Sequence, residues 1–158
     1  MTSKKSKFFI ICALFLFIVI ILGVLFIRNT HTVPSFITDL GVVYIPERIS
    51  NKMEHIVSID AQEMWLFNLK EHEIEKIVKE IESGKFNKLE SEHVEFLNRT
   101  GWNELIISNI TDLESCWIFL YDVRNNIYIT DVNDHFTQWV VFLYDESAQK
   151  YYCVYQTI

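Results

Sequence analysis

The residue types that carry acid–base or nucleophilic chemistry do not form a recognised catalytic pattern in this 158-residue chain. His72-Glu73 lacks the second histidine of a zinc-protease HExxH motif, and only four glycines are present, too few for a usual phosphate-binding loop. Asp134-His135 resembles half of an acid–base pair, but a polar turn explains the same letters. The sequence predicts no enzyme, no cofactor and no metal site. A hydrolase would need a pocket joining His135 or His93 to carboxylates, and it is the least favoured alternative.

A repeated tetrapeptide organises the C-terminal third. Phe-Leu-Tyr-Asp occurs at 119–122 and again at 142–145, each time followed by a polar turn and a tyrosine-rich strand, at 127–130 and 151–155. This pattern predicts two tandem β-hairpins in which the aspartate accepts backbone hydrogen bonds in the turn. The simplest assembly is a four-stranded antiparallel meander, with residues 131–135 joining the two hairpins.

The two hairpins also supply the candidate partner-binding residues. Exposed tyrosines would be the aromatic anchors, and the acids at the turn tips would form an acidic rim. The proposed residues are Tyr121, Tyr128, Tyr144, Tyr151, Tyr152 and Tyr155 for the anchors, and Asp122, Asp145 and Glu146 for the rim. The competing interpretation is structural: the tyrosines cover the sheet and the acids only cap turns.

Cys116 and Cys153 both lie in predicted strands. An oxidising compartment would permit a disulfide between them. In a plain meander they occupy the first and fourth strands, which are not neighbours. A disulfide needs the two Cα atoms within about 7 Å of each other. A disulfide and two buried free thiols are therefore both open.

One or two amphipathic helices are expected to pack on the sheet, which gives an α+β fold. The first is predicted from Leu69 to Ser83, with Asn68 as N-cap and Gly84 as the left-handed residue after its end. A second is predicted from Ser91 to Thr100, ending at Gly101. The first helix has an apolar stripe made of Ile74, Ile77, Val78 and Ile81. A half-buried strand is predicted before it, at 63–69, and a short strand is predicted at 40–45.

The most distinctive stretch is Phe8–Ile27, twenty residues without a charge or a proline. As a helix it would reach about 30 Å, enough to span a bilayer. It is longer than the core of a cleaved signal peptide and lacks a small-x-small cleavage site, so an uncleaved anchor is predicted. Three lysines precede it and one arginine closes it, which puts the N-terminus in the cytoplasm and the C-terminal domain in a periplasm or outside the cell.

These observations divide the chain into a cytoplasmic tail (1–7), a single transmembrane helix (8–27), a stalk with a first strand (28–53) and an extracytoplasmic α+β domain (54–158). The stalk is too apolar for a free linker and is expected to pack on the domain. Asn98 and Asn109 begin glycosylation sequons, which matter only in a eukaryotic lumen.

Charge narrows the choice of partner. The chain has 14 basic and 21 acidic residues, and residues 1–28 hold four of the basic ones and none of the acids. The remaining 10 positive and 21 negative groups give residues 29–158 a net charge of −11, which disfavours nucleic acid and suits a basic protein. The sequence therefore predicts a membrane-anchored binding module, of the kind formed by immunity or inhibitor proteins that neutralise a toxin acting in the envelope. An accessory structural subunit of a membrane complex is the alternative.

Overall fold

A computed structural model describes residues 12–23, 33–46, 49–56, 61–110, 112–132 and 134–158. The chain divides into two compact units, Met1–Thr32 and Val33–Ile158. Within the first unit, residues 12–23 form helix α1, and the ends of the predicted anchor lie outside the described residues. In the described part of the chain, no helix combines the length and the apolar character needed to cross a membrane.

The second unit is built on one antiparallel sheet, which confirms the predicted α+β class. Its strands, in chain order, are β1 (Asn51–Ile56), β2 (Ala61–Asn68), β3 (Asn87–Lys88), β4 (Cys116–Asp122), β5 (Ile127–Tyr128), β6 (Gln138–Asp145) and β7 (Lys150–Thr157). The spatial order is β1-β2-β7-β6-β4-β3, and the short β5 also pairs with β4.

This order corrects the predicted meander. β6 pairs with β4 from Trp139 to Asp145, not with β5, and this places Phe119 directly opposite Phe142. β5 lies on the outer edge of β4, where Tyr121 pairs with Tyr128. Since the two copies of the repeat occupy neighbouring central strands, Phe119 and Phe142 meet with ring centroids 6.0 Å apart.

Helices cover both faces of the sheet, so the central strands are buried on both sides. On one face, helix α3 (Glu71–Glu82) and the segment 33–46, which includes the short helix α2 (Ser35–Thr38), cover a core that contains Phe67, Ile77 and Phe142. On the other, helices α4 (Ser91–Arg99) and α5 (Asn103–Ile106) cover a core that contains Phe96 and Trp139. We call these the α3 core and the α4 core.

Both long helices end as the sequence predicts. After α3, the Gly84 N–H donates to the Ile81 carbonyl and the Lys85 N–H to the Glu80 carbonyl, and Gly84 has φ +79°. After α4, Gly101 has φ +83° and makes the equivalent bond. Both endings are Schellman motifs, which need a residue in the left-handed region.

Helix α3 starts later in the chain than the sequence predicts. Its N-cap is Lys70, and the Lys70 N–H donates to the Glu73 carboxylate at 2.8 Å. Asn68 is the last residue of β2, because the strand pairs with β7 through Lys150. The helix stripe is confirmed at its centre, where Ile77 is fully buried in the α3 core.

The segment 33–46 packs on the sheet within the second unit, as its apolar composition predicts, but 40–45 does not form the expected strand. Its contacts are polar as well as apolar: the Tyr44 N–H donates to Glu80 Oε2 at 2.7 Å, and the Tyr151 hydroxyl donates to the Tyr44 carbonyl at 3.1 Å. Gly41 has φ +61°, which interrupts extended structure. Strand β1 follows and crosses the predicted boundary between the stalk (28–53) and the domain (54–158), where the sequence predicts no strand.

Cys116 and Cys153 are free and buried. Cys116 lies in the α4 core and Cys153 in the α3 core, on opposite faces of the sheet and with β6 between their strands. Burial raises the pKa of the Cys116 thiol to about 12, helped by the nearby Asp145. A disulfide between these two residues does not form in this fold.

Candidate functional site

The two turn aspartates are buried caps. Asp122 accepts from the backbone N–H and the side-chain amide of Asn125, at 2.9 and 2.7 Å. Asp145 accepts from the Ala148 N–H at 3.0 Å and from the Ser147 hydroxyl at 2.7 Å. Both side chains are at most 2% exposed, so neither is available for an acidic rim.

The predicted rim is also divided in space. Asp122 and Asp145 lie at opposite ends of the β4–β6 pair, six residues apart along β4, or about 20 Å. Of the three acids only Glu146 is exposed, and its carboxylate accepts from the Trp117 indole N–H at 3.4 Å. The two turns therefore do not form one compact acidic edge.

Most of the predicted aromatic anchors are core residues. Tyr121, Tyr144 and Tyr151 belong to the α3 core, and Tyr152 belongs to the α4 core. Burial raises the pKa of all four phenols. Tyr155 is partly buried against the ring of Phe36, at 4.9 Å.

Tyr128 is the exception, with 54% of its surface exposed. It lies at the outer edge of the sheet next to Ile127, which is 52% exposed. A cavity of about 410 Å³ adjoins it, which we call the edge groove. Phe119 and Lys85 line the groove as well, and the Tyr128 ring meets that of Phe119 edge-on at 5.3 Å.

The edge groove exists because two separate short strands, β3 and β5, pair with the outer edge of β4. β3 pairs with β4 at Trp117 and Ile118, whereas β5 pairs with it at Tyr121 and Asp122. Between the two short strands the outer edge of β4 opens at Phe119. The sequence indicated Tyr128, but nothing in it indicated Ile127 or the groove, because β3 and β5 are 40 residues apart.

A second cavity, of about 300 Å³, lies at the end of the sheet where β2 and β6 begin and β7 ends; we call it the end cleft. It brings Asp134 and His135 together with Arg99 at the end of α4. Its remaining lining residues are Gln62, Phe96, Thr100, Phe136, Trp139, Gln156 and Ile158. The sequence singled out Asp134-His135 but not the polar residues from β2, α4 and β7 that join them.

His93 lies elsewhere and is committed to a structural bond. Its Nδ1 accepts the Glu90 N–H at 3.1 Å at the start of α4, and the side chain is 7% exposed. Burial lowers the pKa of His93, opposed by Glu92 and Glu90. The neutral ring is therefore the form that this helix start requires.

No protein-family model, curated protein or solved structure matches this chain. Among the described residues, no group of three histidine, cysteine or acidic side chains is placed to hold a metal ion. The candidate functional sites are therefore the edge groove, the end cleft and the surface around them.

Proposed function

We propose that this chain is a membrane-anchored, extracytoplasmic binding module of the immunity or inhibitor type, which captures a basic protein. The observation that carries the proposal is the exposed pair Ile127 and Tyr128 beside the edge groove. Exposed aromatic side chains next to a pocket are the usual anchors of protein interfaces. The pair lies on a two-residue edge strand, where the sheet leaves a surface for a partner.

Two further features support the anchor and the partner's charge. Nine consecutive apolar side chains of α1, from Leu14 to Leu22, are each 42–68% exposed, as a segment that contacts lipid would be. The net charge of −11 on residues 29–158 would speed the encounter with a basic protein more than it would tighten the complex.

Photo-crosslinking of the full chain in cells tests this proposal. With benzoylphenylalanine in place of Tyr128, we expect one discrete crosslinked protein, because that side chain would lie at the centre of the interface. The matched control carries the same crosslinker in place of Glu75, which is exposed on α3.

Equal crosslinking from both positions, or none from Tyr128, would contradict the proposed surface. Adducts with several integral membrane proteins, unchanged by Tyr128→Ala, would instead favour the accessory-subunit alternative. The chemical form of the partner is read directly from the adduct, which should be a basic protein.

A further inference from the structure

We propose that the end cleft binds a small carboxylate that carries an apolar, ring-sized group. The inference is independent of the proposed function, because the end cleft and the edge groove share no lining residue. At about 300 Å³ the end cleft is at the lower limit of small-molecule sites, which matches a ligand of this size.

Two buried side chains of the end cleft, Gln156 and Trp139, hold polar groups that can donate to a ligand. Gln156 is 3% exposed, and its Oε1 accepts the Trp102 indole N–H at 3.0 Å, which fixes the amide and leaves its NH₂ group to donate. The indole N–H of Trp139 is buried without an acceptor in the described part of the chain. An unsatisfied buried donor is costly, so a ligand oxygen there would be stabilising.

Arg99 supplies the charge. It donates from Nη2 to the Val132 carbonyl, which holds the guanidinium in place, and no ion pair joins it to a carboxylate among the described residues. A carboxylate only accepts hydrogen bonds, and it matches the planar arrangement of guanidinium donors. Asp134 lies exposed at the same cleft and opposes a second negative charge, which favours a monoanion.

Aromatic walls define the rest of the ligand. The Phe96 ring meets the Trp139 ring edge-on at 5.1 Å, and it meets the Phe136 ring at 6.4 Å. An apolar ring placed against these faces would gain both buried area and aromatic contacts. The donors and the walls together select an acid with an apolar body over a sugar or a nucleotide.

The test is a titration of the ¹⁵N-labelled full chain with phenylacetate, followed at the Trp139 indole and Gln156 side-chain resonances. Phenylacetamide has the same shape without the charge. We expect saturable shifts with phenylacetate and an affinity about tenfold weaker for the amide, because charged hydrogen bonds contribute most. N-acetylphenylalanine presents the same groups as a polypeptide C-terminus, and whichever acid binds more tightly identifies the source of the ligand.

Arg99→Gln should weaken phenylacetate binding about tenfold and remove its advantage over the amide. The matched control is Lys79→Gln, which removes a positive charge from an exposed position on α3, on the other face of the sheet. Should Arg99→Gln lose the native spectrum, Arg99→Lys keeps the charge and should lower the affinity by loss of the planar donor pair. Equal affinity for acid and amide, unchanged binding in a folded Arg99 variant, or no saturable shift would overturn the proposal.

Discussion

The two Phe-Leu-Tyr-Asp hairpins start from the same letters and end in different environments. In each, the aspartate pairs with the residue five positions later, across a four-residue loop whose last member has a positive φ: Asn126 at 58° and Gln149 at 53°. The loops therefore have a common design. The strands that follow the loops differ: β7 is eight residues long and central, whereas β5 is two residues long and lies at the edge.

The difference comes from what lies beyond each hairpin. β7 has a second partner, β2, which pairs with it along its length, and α3 with the segment 33–46 covers one of its faces. β5 has only β4 as a strand partner, and the next residue, Ile129, donates its N–H to the Leu120 carbonyl and buries its side chain in the α4 core. A local motif thus decides the turn, and long-range neighbours decide whether the next strand becomes core or surface.

The largest expected effect is a difference in stability between variants of two equivalent tyrosines. Tyr128 and Tyr151 each lie six residues after the aspartate of their hairpin. Tyr151 is fully buried, so Tyr151→Ala should lower the free energy of unfolding by about 3–5 kcal/mol through lost burial and the resulting cavity. Tyr128→Ala should cost about 1 kcal/mol, mainly its contacts with Phe119 and Tyr121. Denaturant unfolding of the two variants measures the difference; equal losses would show that β5 is as integral to the fold as β7.

A smaller effect should be common to both hairpins. Asp122→Ala and Asp145→Ala should each cost about 1–2 kcal/mol, because each leaves a turn N–H without its acceptor. The matched controls Asp122→Asn and Asp145→Asn keep a carbonyl oxygen at that place and should retain most of the stability. Thermal melts measure these changes. A loss of stability in the variants of one hairpin only would show that the two turns are not stabilised in the same way.

The features of this fold that the sequence predicts are those held by local interactions. The turn aspartates and the glycines that end α3 and α4 depend on residues within a few positions of one another. The expectation of a half-buried β2 was wrong, because helices cover both faces of the sheet: Met64 is buried in the α4 core and Phe67 in the α3 core. The strand order is not local, because β4 pairs with β5 on one edge and with β6, from a later segment of the chain, on the other. The end cleft was unpredictable for the same reason: Gln62, Arg99 and Gln156 come from three distant segments.

The smallest expected effect distinguishes the two loop residues with positive φ. The left-handed region is unfavourable for glutamine, whereas asparagine and glycine adopt it at lower cost. Gln149→Gly should therefore stabilise the fold by about 0.5–1 kcal/mol. Asn126→Gly should give no gain, because it also removes the acceptor of the Tyr121 hydroxyl, at 2.7 Å. Paired denaturant curves resolve this difference. A gain of equal size in both loops would mean that the Tyr121 bond contributes nothing and that the hairpins differ only beyond their turns.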